Sequence, residues 1–136
     1  HSAIHIYDPT TGIDKVYNYG TFDFDTPNFY VKFCRGQLNY FVNVTDFNRF
    51  VRNYQYEGRW VYRQELNLSD DQKADIYAFL ENNALPENKF YKYDFFYDNC
   101  STRLRDAFEN LLGESLVYPD ASSDTTATFR EMIDLY

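Results

Sequence analysis

YDNCSTRLRDAFENLL, residues 97–112, sets the fold class because a polar run gives way within it to a helical pattern. Leu104, Ala107, Phe108, Leu111 and Leu112 repeat at three- and four-residue intervals as one apolar face. Arg103, Arg105, Asp106 and Glu109 make the polar face, and Gly113 supplies the stop. Cys100 stands at the start of this helix, after Asp98 and Asn99 and before Ser101 and Thr102. A structural cysteine usually has apolar neighbours. Here free backbone N–H groups and the positive end of the helix dipole would stabilise a thiolate, which is what a nucleophile needs.

Working back from that helix, the chain is mostly strand-like. In residues 1–7, Ser2, Ile4 and Ile6 alternate with His1, Ala3, His5 and Tyr7, DPTTG provides turn residues, and KVYNYG returns, which predicts a β-hairpin. Residues 21–36 hold Pro27 and Gly36 around the apolar FYVKF. A second hairpin-like pair is expected from QLNYFVNV and RWVYRQELNL, separated by a short helical stretch with Thr45 as N-cap. Ser69 with Gln72 gives a capping-box signal, so a helix is expected over about residues 70–82, with Pro86 ending the unit. PDASSDTT, residues 119–126, reads as a polar loop before an amphipathic TFREMIDLY. The sum is an α+β domain with a small antiparallel sheet and packed helices.

A chain of 136 residues fits one domain with an ordinary core. Its 13 Lys+Arg against 21 Asp+Glu give a formal net charge of -8, which argues against nucleic acid as a partner. Aromatics make up 21% of the residues, through strand preference or as the walls of an acyl-chain groove. Two cysteines and two histidines without ligand spacing exclude a disulfide scaffold and point to no metal or other cofactor. Cys34, in KFCRG, fits no catalytic pattern and reads as a packing thiol. Apolar runs are too short to cross a bilayer. The strand pattern at the first residue and the abrupt end at Tyr136 suggest a piece of a longer protein.

A thiol nucleophile needs a proton acceptor, held in orientation by a third polar group. Only His1 and His5 are available, both on one face of the first strand. Asn18 lies on the other arm of the hairpin. If paired positions sum to 19, it faces His1; if they sum to 21, His1 faces Gly20 and Asn18 is diagonal on the same face. An odd shift would bring Tyr17 and Tyr19 there instead.

HSAIHI, VYNYGTFDF, PNFYVKF, RGQLNYFV, ELNLS and PENKFYKYDFFYDNCSTRLRD resemble the N-terminal periplasmic domain of the Lnb family, lipoprotein N-acyltransferases of Bacteroidota and related bacteria. The resemblance covers nearly the whole chain. That family is similar in turn to permuted papain-like enzymes of NlpC type, in which the histidine strand precedes the cysteine helix. It implies Cys100 as nucleophile, His1 as base and Asn18 as orienting residue, with His5, farther along the strand, the lesser candidate for the base. The oxyanion would be held by the Cys100 N–H, with Asn99, Ser101 and Tyr19 as further oxyanion or substrate-binding candidates.

The resemblance also implies a diacylated lipoprotein or lipid as substrate and a periplasmic place tethered to the inner membrane by segments outside this chain. Residues 1–136 would then be one catalytic domain. Two other readings stay open: a cell-wall amidase or peptidase of NlpC type, and a non-catalytic lipid- or partner-binding domain. Arg49, Arg52, Arg59 and Arg63 form a basic island that reads as a solvated face or as a contact for anionic head groups.

Overall fold

The computed structural model describes residues 1–117. Four antiparallel strands form one sheet in the order β1-β2-β3-β4, from β1 (Ala3–Asp8), β2 (Ile13–Phe22), β3 (Asn39–Asp46) and β4 (Phe90–Lys92). Among the described residues four α-helices accompany it, α1 (Phe29–Cys34), α2 (Phe47–Tyr56), α3 (Asp70–Asn83) and α4 (Cys100–Leu112), the last followed by a 3-10 turn at Gly113–Ser115. The α+β class with a small antiparallel sheet is thus observed.

The first hairpin turns at Asp8, whose carboxylate accepts the Thr10 N–H at 2.8 Å and both threonine hydroxyls, at 2.6 Å from Thr10 and 2.7 Å from Thr11. Pairing then runs Ala3 with Asn18, Ile4 with Tyr17 and His5 with Val16, so paired positions sum to 21. Register fixes the faces, because successive side chains alternate. Ile4, Ile6, Tyr17 and Tyr19 go to the core with Leu38, Tyr40, Val42, Tyr91, Ile76 and Leu80 of α3, and Leu104 of α4. His5 goes to the other face, where its ring stacks on Phe47 at the start of α2 with centroids 4.2 Å apart. A bulge interrupts β2 between Asn18 and Thr21.

Helix α3 begins at the expected capping box: Ser69 Oγ accepts the Gln72 N–H at 3.2 Å and Gln72 Oε1 accepts the Ser69 N–H at 2.9 Å. It is fastened to β2 by Glu81, which accepts Lys15 Nζ at 2.9 Å and the Tyr17 hydroxyl. Glu81 therefore stays ionised to a lower pH than usual, through the Tyr17 bond first and the Lys15 bond second.

Three expectations are corrected. RWVYRQELNL is no strand: β3 has β2 on one side and β4 on the other, which leaves no edge of β3 for it, and residues 59–69 run as irregular chain. Alternating aromatics there mimic a strand without burying one face. The cap of α2 is Asp46 rather than Thr45, its carboxylate accepting the Arg49 N–H at 3.1 Å. Cys34 is exposed rather than packed, because it ends the short helix α1 on a side away from the core. The expected loop at 119–126 and the amphipathic TFREMIDLY lie outside the described residues.

Candidate functional site

The start of α4 is held by a tight approach loop. Asp94 and Asp98 exchange backbone bonds of 2.9 and 3.1 Å, and the Asp94 carboxylate accepts the Phe96 and Tyr97 N–H groups at 2.9 Å each. Asp98 binds the Arg103 guanidinium through two bonds of 2.6 and 2.7 Å, while that guanidinium lies 4.0 Å over the Tyr91 ring. The loop is thereby tied both to the helix it feeds and to β4.

Asn99 is the N-cap. Its Oδ1 accepts the Ser101 N–H at 2.9 Å and the Thr102 N–H at 3.1 Å, its Nδ2 donates to the Phe95 carbonyl at 2.9 Å, and its own N–H goes to Thr102 Oγ1 at 2.8 Å. The Arg103 N–H closes the first helical bond on the Asn99 carbonyl at 3.0 Å. Among the described residues this accounting leaves one amide of the first turn without a partner, that of Cys100 itself. The Asn99 side chain is fully occupied as a cap. An oxyanion beside the sulfur would find the Cys100 N–H already free.

Cys100 is partly buried and packs against the core cluster. Burial, and behind it the nearness of Cys100, raises the ionisation of Tyr91 and Tyr93 above the usual phenol range. Tyr40 is pushed up to about 12 by burial, then by Tyr93 and Cys100. These three hydroxyls stay protonated, and that of Tyr91 donates to the Tyr19 carbonyl. Behind them runs a wall of rings: Tyr40 stacks on Tyr93 at 4.1 Å, Phe22 meets Tyr40 at 4.9 Å and Phe29 at 5.5 Å, and Phe33 stacks on Tyr93 at 5.9 Å. Tyr19 is buried under α4 near Arg103, its hydroxyl lacking a hydrogen-bond partner among the described residues and raised to about 12 by burial.

His1 and Asn18 line one cavity of about 280 Å³ with Asn43, Arg49, Tyr54 and Arg59. The register puts His1 over Gly20 and Asn18 on the same face, diagonal to it. The approach to Gly20 is so close that an added Cβ there would lie 2.0 Å from His1 Nδ1. Asn18 Oδ1 accepts the Gly20 N–H at 2.9 Å, bridging the bulge and fixing the strand under the ring. His5 is engaged elsewhere, with Nε2 2.7 Å from Asp14 Oδ1.

One contact joins the two halves. Ser2 Oγ and Ser101 Oγ are hydrogen-bonded at 2.9 Å, so His1 and Cys100 each lie one residue from the same bond. Among the described residues no hydrogen bond runs directly between the Cys100 sulfur and the His1 ring, or between His1 and Asn18. The His1 ring faces the cavity beside α2, whereas Cys100 faces the aromatic cluster. A family model described as the Lnb N-terminal periplasmic domain matches residues 1–134. The chain belongs to the Lnb family. That membership makes this a periplasmic, lipoprotein-related domain. No curated protein and no solved structure matches it.

The Lnb domain contains no helix, among its described residues, long and apolar enough to cross a membrane, and no cluster of His, Cys, Asp and Glu that could hold a metal. Sequence reasoning passed over Tyr40, Tyr91 and Tyr93 as neighbours of the thiol. They sit on β3, β4 and the segment just after it, and nothing local in NYF or KYD tells that these strands meet the start of α4. Gly20 was visible only as a possible partner of His1.

Proposed function

We propose that this domain moves an ester-linked acyl chain of a diacylglyceryl lipoprotein to the lipoprotein's terminal amine through a Cys100 thioester, in a permuted papain-like arrangement. The observation that carries the reading is the Ser2–Ser101 bond of 2.9 Å, which ties the residue after His1 to the residue after Cys100. In this scheme the His1 ring swings from Gly20 toward the sulfur and takes the thiol proton as Cys100 attacks the ester carbonyl. The Cys100 N–H receives the oxyanion, the C–O bond breaks, and the imidazolium returns its proton to the leaving glyceryl oxygen. The terminal amine then attacks the thioester, the C–S bond breaks, and the amine's proton passes by way of His1 to the departing thiolate. Asn18 orients the ring through the strand beneath it.

The rings of Phe22, Phe29, Tyr40 and Tyr93 behind the thiol suit an acyl chain and limit water, which favours an amine over hydrolysis. The cavity beside His1 is polar, with Asn18, Asn43 and Asn53 on its walls, and on that ground a cell-wall amidase or peptidase of NlpC type is the second reading. Incubating the membrane-tethered parent with a diacylated lipopeptide separates them. Fragmentation mass spectrometry should find the N-acylated lyso product at unchanged total mass, and none with Cys100→Ala. Free fatty acid without N-acylation points to hydrolysis of the lipid, and cleavage of peptidoglycan stem peptides to the second reading.

A further inference from the structure

The end of α2 and the chain that follows it carry a surface unlike the rest of the molecule. Tyr56, the last residue of α2, and Trp60 and Tyr62, on the irregular chain after it, are 94%, 85% and 91% exposed. Large rings are rarely left in water one after another unless something meets them. Interleaved with them is charge of one sign. Residues 49–63 hold Arg49, Arg52, Arg59 and Arg63 against Glu57 alone, in a chain whose formal net charge is -8. Arg59 is paired with Glu57 at 2.9 Å and lies 4.3 Å over the Tyr54 ring, while Arg49 and Arg63 have no ion-pair partner among the described residues.

We propose that this segment docks the domain on an anionic phospholipid surface. Tyrosine and tryptophan partition to the headgroup level because one end of the ring system is apolar and the other hydrogen-bonds, and arginine adds attraction to lipid phosphates. A negatively charged domain is repelled by such a surface everywhere else, so the one basic, aromatic-bearing segment also fixes its orientation. Arg49, Tyr54 and Arg59 at the base of the segment line the cavity that holds His1 and Asn18. Docking therefore turns that cavity toward the lipid, where a lipid-linked substrate resides. Only this last consequence rests on the proposed acyl transfer; the docking itself rests on the surface.

Trp60 is the single tryptophan of the chain and reports directly on the contact. Its emission is followed as vesicles of phosphatidylglycerol and phosphatidylcholine are added to the 136-residue chain. A blue shift that saturates with lipid, and is reversed by high salt, is expected. Arg59→Gln and Arg63→Gln should each weaken binding by about fivefold, with circular dichroism showing the fold retained. Tyr62→Ser should weaken it as well. The proposal is overturned by no shift with the anionic vesicles, or by an equal shift with phosphatidylcholine alone. It is also overturned by saturation with soluble glycerol phosphate, or by a shift that grows with protein concentration without lipid, which would mark a second copy as the partner. Binding is read without turnover, so failure of acyl transfer leaves it standing and failure of binding leaves acyl transfer standing.

Discussion

Gly20→Ala separates the position of the His1 ring from the stability of the fold. A Cβ at residue 20 would stand 2.0 Å from His1 Nδ1, 2.8 Å from Cε1 and 3.0 Å from Cγ, against the 3.4 Å at which ordinary contact begins. The ring must retreat by about 1.4 Å, the difference between 3.4 and 2.0. It can do so cheaply, because His1 is exposed and its side chain is free to rotate, and because Gly20 does not have the positive φ that would itself penalise alanine. Gly20 is buried beneath the ring, so the cost to folding should be about 1 kcal/mol, the ordinary scale of a single substitution. In the proposed scheme the ring pivots to the sulfur from its seat over Gly20, so a seat displaced by roughly 1 Å misplaces the base, which can cost about a hundredfold in rate. The expected outcome is a denaturation midpoint slightly below that of the unsubstituted protein, with the proposed N-acylation of a diacylated lipopeptide reduced by about two orders of magnitude. Alkylation of Cys100 at neutral pH, followed in a Cys34→Ser background because Cys34 is exposed, gives a second readout and should slow. Full activity and unchanged alkylation in a folded Gly20→Ala protein would refute His1 as the base.

Asn99→Ala removes the acceptor for two first-turn amides and the donor to Phe95, and should destabilise the protein by about 1–2 kcal/mol in urea denaturation. Leu80→Ala, at a fully buried position between α3 and the sheet, should cost about 2–5 kcal/mol by the same measurement. Glu81 sets an acid dependence: its carboxyl ionises below the ordinary 4.5 when folded, so its contribution is present above that value and is lost as pH falls through the lower folded one. Melting temperature measured from pH 6 down to pH 3 should therefore fall less steeply in Glu81→Gln than in the parent, by roughly the share of one partly exposed carboxylate. Thiol counting on the unreduced, folded protein should find both Cys34 and Cys100 free.

Local chemistry made much of this molecule legible in its sequence. The capping box at Ser69 and Gln72, the apolar stripe from Leu104 to Leu112 and the turn at Asp8 act through neighbours a few residues away, so the helices α3 and α4 and the first hairpin follow from the chain itself. The same holds for Cys100 at a helix start, and for the even parity that keeps His1 and Asn18 on one face in either register. What sequence alone left open was every question settled by distant partners. The choice between sums of 19 and 21 depends on how the whole sheet buries Ile4, Tyr17 and Tyr19. RWVYRQELNL has strand-like residues but does not pair with β3 as expected, since β4, a three-residue strand far along the chain, takes the place beside it. The ring cluster behind Cys100 draws on segments about 70 residues apart, Phe22 at one end and Tyr93 at the other. Pairing and packing between such segments are rewarded only once the sheet has formed, and a local pattern carries no record of which partner will arrive.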